Sequence, residues 1–170
     1  PALPKFPSGG AHVIMCSVMT RDSALFDKLA TCHMHLGLCV GINDVESILN
    51  ALPTTHLRYR QADTSARAIA QWCAQQPQFA QVLHPSLPDS PGHAAWKAHC
   101  CTEATPEGAG AGIVSVIVDD TYTQAQVDAF CESLQLFRIG YSWGGPISLV
   151  MPYNIAHMRN PWPQHLRRGK

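Results

Sequence analysis

A single helical stretch divides this chain. From Leu57 to Gln76 the apolar residues Leu57, Ala62, Ala66, Ile69, Ala70 and Cys73 recur at the spacing of one helix face. Thr54-Thr55 stands ahead of it and Pro77 behind it, a start and a stop. At 1.5 Å per residue such a helix is about 30 Å long, so both flanking segments must build on it.

The segment after it alternates regularly. Phe79–Leu83 reads as a strand that runs into His84-Pro85, and 92–101 as a short helix carrying Trp96. Residues 113–118 read as a strand, and Thr123 caps a helix to Leu134. Residues 136–139 and 147–151 read as two further strands. Strand, helix, strand, helix, strand, strand predicts one small sheet with helices on one face, an α+β layer. Ahead of the long helix, Val13–Thr20 is apolar, β-branched and bounded by turn residues, which predicts a buried strand. A helix over Ala24–Leu36 is broken by Gly37 and Gly41, and a second over Val45–Leu52 is stopped by Pro53. This first third reads as the last edge of another domain. The organisation expected is therefore 1–56, a linking helix 57–76, and a small domain 77–170. The start at Pro1 and the end in Arg167-Arg168-Gly169-Lys170 read as cuts from a longer chain.

Charge and composition exclude some functions. Twelve basic and twelve acidic residues balance, whereas nucleic acids and anionic membranes select a basic excess. Only 14% of residues are charged and 46% are hydrophobic, which predicts an apolar surface that is partly an interface. No run approaches the roughly 18 apolar residues of a membrane span. The seven cysteines are odd in number and lie in apolar or helical surroundings. They read as small buried hydrophobes of a reducing cytoplasm, not a disulfide framework.

Few residues carry chemistry. His33 and His35 are two apart on a predicted helix and point to different sides, and Cys100-Cys101 lacks the spacer of a zinc pair. Gly108-x-Gly110-x-Gly112 precedes a strand, not the helix a phosphate cradle needs, and reads as a flexible loop. No Gly-x-Ser-x-Gly elbow supports hydrolase chemistry. Two stretches remain. Lys5 stands before the rigid turn Pro7-Ser8-Gly9-Gly10, where a desolvated amine becomes nucleophilic; on these residues alone a solvated loop lysine is the favoured reading. Tyr141-Ser142-Trp143-Gly144-Gly145 sets two hydroxyls and an indole in a turn, as a binding loop or as a packed aromatic turn.

Taken in order, these stretches resemble the Cys/Met-metabolism family of pyridoxal-phosphate enzymes, and within it the cystathionine β-lyases. Lys5-Phe6-Pro7-Ser8-Gly9-Gly10-Ala11-His12 is similar to the family's cofactor-lysine segment. Leu57-Arg58-Tyr59-Arg60-Gln61 resembles the start of its interdomain helix, and His84-Pro85-Ser86-Leu87-Pro88 with Gly92-His93 a further family stretch. Tyr141-Ser142-Trp143-Gly144-Gly145, then Ser148-Leu149, is the most specific match, since the Trp separates β-lyases from most γ-acting relatives. The resemblance implies a C-terminal part of a fold-type I enzyme: α/β, the end of the large cofactor domain with its Schiff-base lysine segment, plus an incomplete α+β small domain. It implies pyridoxal 5'-phosphate as cofactor, Lys5 as the catalytic lysine that also bonds it, and Tyr141, Ser142, Trp143 and Arg168 on the substrate side. It also implies an amino-acid thioether substrate, a cytoplasmic enzyme, and homo-oligomers in the full-length family. Three departures stand against it. Pro4 replaces a threonine that would donate to the phosphate, Ile147 replaces a glutamate, and the half holding the phosphate loop, ring-stacking tyrosine and pyridine-pairing aspartate is not in this chain. The expectation is therefore a carbon–sulfur lyase segment inactive alone; the alternative is a non-catalytic remnant or an interaction module of that fold.

Overall fold

The computed structural model describes residues 2–159, 161–167 and 169. It divides into two compact units, Pro1–Arg58 with Gly144–Pro146, and Tyr59–Trp143 with Ile147–Lys170.

In the first unit, helix α1 spans Ser23–Leu36 and helix α2 spans Ile42–Ala51. The Asp22 carboxylate accepts the Leu25 N–H at 2.8 Å and starts α1. Gly37, at φ 62°, ends it in the left-handed conformation that glycine adopts without strain. Pro53 does not stop the chain's helical course. It lies in a 3-10 turn, Leu52–Thr54, that leads directly into helix α3, Thr55–Cys73. Proline is tolerated there because first-turn N–H groups have no intrahelical partner.

The strand expected over Val13–Thr20 is not formed. Among the described residues the run makes one isolated bridge, Ala2 to Cys16, with the Leu3 N–H on the Met15 carbonyl at 3.0 Å. Extended backbone becomes a strand only with a ladder partner, and Ala2-Leu3 is too short to supply one. Val13 is buried, but Ile14 is 96% exposed and Val18 and Met19 are also exposed. No residue of α1 is buried either. The apolar surface predicted from composition is concentrated here: Phe26, Met34, Leu36, Leu38, Val40 and Ile42 all face solvent.

The second unit follows the expected order. Strand β1 is Phe79–Leu83, helix α4 His93–Cys100, strand β2 Ser115–Val118 and helix α5 Gln124–Ser133. Strands β3, Arg138–Ile139, and β4, Leu149–Val150, come next. A last short helix α6, Ile155–Met158, carries no signal in the sequence reading. The single small sheet is corrected to two separate pairs. β1 and β2 are antiparallel, with Leu83 opposite Ser115 and Gln81 opposite Ile117; β3 and β4 are parallel. The physical reason is length. β3 and β4 are two residues each, held by Arg138 N–H to Ser148 O at 2.9 Å and Gly140 N–H to Val150 O at 3.1 Å, too few bonds to recruit another strand. The Gln81 carboxamide reaches the tail, accepting the Arg167 N–H at 2.8 Å.

The buried face of α3 is also not quite the apolar stripe expected. Asp63, Ala66, Ala70 and Cys73 are buried, while Leu57 is exposed. Ile117 of β2 and Val127 and Cys131 of α5 complete the unit's core. Asp63 has a task. Its carboxylate accepts the Arg67 Nε–H at 2.8 Å and the Gly110 N–H at 2.5 Å. Arg67 donates onward to the Glu107 carbonyl at 2.9 Å and stacks over Trp96 at 5.5 Å, and Trp96 Nε1 donates to the Ala109 carbonyl at 3.0 Å. The glycine-rich stretch read as flexible is thus pinned along its length. Gly112 lies so close to α3 that a Cβ there would come within 3.0 Å of the Ala62 Cβ.

The cysteines divide. All seven are unbridged, but only Cys73 and Cys131 are buried, and burial pushes both thiols up; Cys16, Cys32, Cys39 and Cys100 are exposed. No helix among the described residues is long and apolar enough to cross a membrane.

His84 is 1% exposed. The Ser86 N–H can only donate, and it points at Nδ1 at 3.2 Å, so the ring proton sits on Nε2. Burial is the main cause that lowers the His84 pKa from its usual value near 6.5, helped by the Arg67 cation and opposed by Asp63 and the Ala111 carbonyl. A lowered folded value means the unfolded chain binds the proton first. This contribution to stability is therefore complete above about pH 6.5 and is lost as pH falls below it. The urea midpoint is expected to drop between pH 7.5 and 5.5, and His84→Asn to flatten that drop. An unchanged slope in the variant would refute the assignment.

Candidate functional site

The Lys5 loop is built by its own backbone. Lys5 donates its N–H to the Ala2 carbonyl at 3.4 Å, and Ser8 donates to the Leu3 carbonyl at 3.0 Å. Ser8 is buried; its hydroxyl donates to the Pro4 carbonyl at 3.1 Å and accepts the Ala11 N–H at 3.2 Å. One small side chain thereby closes both sides of the turn. Lys5 is half-buried at its start.

Two further parts of the first unit hold this loop. From α3, Arg58 Nη2 donates to the Phe6 carbonyl at 2.8 Å, the Pro7 carbonyl at 3.1 Å and the Ala51 carbonyl at 3.0 Å, and Nη1 to the Thr54 hydroxyl at 2.6 Å. Gly9, at φ 68°, lets the guanidinium in: a Cβ would sit 2.9 Å from Arg58 Nε. From the other end of the chain come Gly144 and Gly145. A Cβ on Gly144, at φ 71°, would lie 2.9 Å from Phe6 Cδ2, and one on Gly145 3.1 Å from the Ala11 Cβ. These glycines read in the sequence as the close of an aromatic turn. In the structure they are where the chain can lie against the lysine loop.

The other predicted residues are placed as follows. Tyr141 is 73% exposed and packs edge-on against Tyr153, ring centres 6.0 Å apart. Ser142 and Trp143 are also exposed. All three belong to the second unit and Lys5 to the first. Arg168 lies outside the described residues. Sequence reasoning missed Arg58 and Tyr153. Arg58 stood within a quoted stretch, but no local pattern ties it to a loop more than fifty residues earlier.

With this geometry in hand, three comparisons bear on identity. Cystathionine beta-lyase of Salmonella typhimurium is 38% identical over 111 residues, covering 64% of this chain and 26% of that protein. Cystathionine beta-lyase of Haemophilus influenzae is 29% identical over 153 residues, covering 88% of this chain and 37% of that protein. The crystal structure of cystathionine gamma synthase from Xanthomonas oryzae pv. oryzae, in complex with aminoacrylate and cysteine, superposes with a TM-score of 0.75 at 30% identity, covering 87% of this chain and 36% of that one. The chain thus spans roughly a third of the length of the relatives it matches. The sequence model of the Cys/Met metabolism PLP-dependent enzymes matches residues 2–169, and this chain belongs to that family.

Proposed function

We propose that this chain is the part of a pyridoxal-phosphate-dependent carbon–sulfur lyase that carries the cofactor lysine, Lys5, and that the enzyme cleaves cystathionine by β-elimination. The observation that carries the proposal is the immobilised Lys5 loop, with Gly144-Gly145 of the Tyr141–Gly145 segment lying on its backbone. Residues 1–56 would then be the end of the large domain, 57–76 its connection, and 77–170 the small domain, in a homo-oligomeric enzyme.

A half-buried primary amine on a fixed loop fits a cofactor that bonds lysine. Pro4, which has neither a hydroxyl nor an N–H, fits the phosphate poorly. The phosphate and the ring nitrogen are accordingly held by parts of the fold outside this chain. When bound, the cofactor supplies an electron sink for the bond broken at the amino acid's α-carbon. Lys5 Nζ takes the proton from that carbon. Tyr141, Ser142 and Trp143 bound the thioether side, and Arg168 offers a two-pronged grip on the carboxylate. With water, cystathionine then gives homocysteine, pyruvate and ammonia. The relatives named cystathionine beta-lyase and the indole of Trp143 favour β- over γ-cleavage.

The chain alone is expected to show no turnover. The test is a chimera in which it replaces the matched segment of the Salmonella typhimurium enzyme. Pyruvate released from cystathionine supports the proposal. 2-Oxobutyrate in its place would overturn β-cleavage and keep the carbon–sulfur lyase, and neither product from a soluble, folded chimera would favour a non-catalytic role.

A further inference from the structure

We infer that Arg58 is a positioning residue for Lys5, acting through the backbone of the lysine loop. The inference rests on the reading of Lys5 just proposed. Arg58 carries one of the chain's twelve basic groups, yet its guanidinium meets no carboxylate in the first unit's hydrogen bonds. Among the described residues its acceptors are all neutral: the Phe6, Pro7 and Ala51 carbonyls and the Thr54 and Thr55 hydroxyls. Two of these carbonyls belong to the two residues that follow Lys5. The others lie at the C-terminal end of α2 and the start of α3. A cation there also meets the negative end of the α2 dipole.

The shape of the group matters. A guanidinium is a rigid planar fork whose donors are fixed relative to one another. Nη2 holds Phe6 O and Pro7 O of the loop together with Ala51 O, Nε adds a second bond to Phe6 O, and Nη1 holds Thr54 Oγ1, which fixes the loop's height and direction against two helices. The Lys5 Cα is one peptide away from the gripped Phe6. The residue therefore sets where the Lys5 side chain starts. A lysine at position 58 would have one ammonium for acceptors spread over both sides and would hold only part of them.

Two readouts test this, the first on the full 170-residue chain. The first is hydrogen exchange at the Ser8 and Ala11 amides, whose acceptors are loop atoms. In Arg58→Ala both should exchange about tenfold faster or more, the scale of losing charge-assisted bonds, with exchange in β1, β2 and α5 unchanged. The second, in the Salmonella chimera that supplies the phosphate and ring-nitrogen holders, is the share of borohydride-fixed pyridoxyl label on Lys5 relative to the exposed Lys28 and Lys97 after incubation with pyridoxal phosphate. Arg58→Ala should lower the Lys5 share about tenfold, and Arg58→Lys should restore part of it. Unchanged exchange at Ser8 and Ala11 overturns the clamp. Faster exchange with an unchanged Lys5 share overturns positioning, because the role would then be structural. A chimera with unaltered Arg58 and no preference for Lys5 overturns the lysine assignment itself, and positioning falls with it, even if the loop loosens as expected.

Discussion

Lys5→Ala in the Salmonella chimera should lower pyruvate release by about four orders of magnitude or more, the scale seen when a catalytic nucleophile is removed. In the isolated chain the same change should abolish the pyridoxyl label on the tryptic segment Pro1–Arg21. Lys5→Arg separates the amine from its charge. It keeps the cation but has no nucleophilic amine, so it should lose as much as alanine. Lys28 on α1 and Lys97 on α4 are exposed and should not substitute, because effective catalysis needs the amine held in place. A Lys5→Ala chimera within tenfold of its parent would remove Lys5 from the chemistry.

Asp63→Ala should destabilise the second unit by about 2–3 kcal/mol, seen as a lower urea midpoint with an unchanged slope. The carboxylate is buried and accepts from Gly110 and Arg67. Truncation strands the Gly110 N–H and uncouples a partly buried guanidinium. The estimate stays below the full penalty for breaking a buried pair because Arg67 keeps the Glu107 and Gly108 carbonyls and the Trp96 face. Asp63→Asn keeps an oxygen for Gly110 and should lose less. A change below about 0.5 kcal/mol, ordinary for surface substitutions, would show that the network is not what holds the 107–110 loop.

What could be read from the sequence was what neighbouring residues decide. Thr123 and Gln126 form a reciprocal cap three residues apart, and α5 begins where they say. Phe79–Leu83 is bounded by turn residues on both sides and forms as read. Readings failed where the deciding partner is distant. Val13–Thr20 has the composition of a strand but no ladder partner among the described residues. Residues 108–112 look flexible because Asp63, which pins them, lies on a helix forty-odd residues earlier. The site divides in the same way. Lys5 stands out by its turn, and Tyr141-Ser142-Trp143-Gly144-Gly145 by its composition. Arg58 is invisible locally, since its work is done on carbonyls that every residue possesses.

The chain leaves the first unit after Arg58, returns to it for Gly144–Pro146 alone, and leaves again. This has a consequence for synthesis. The Lys5 loop emerges from the ribosome more than a hundred residues before the glycines that lie on Phe6 and Ala11. Closing so long a connection is entropically slow, though the penalty grows only with the logarithm of its length. The lysine loop is therefore among the last parts of the first unit to reach its final packing. A nascent chain halted short of Gly144 would present Lys5 on a loop held by Arg58 but not yet covered.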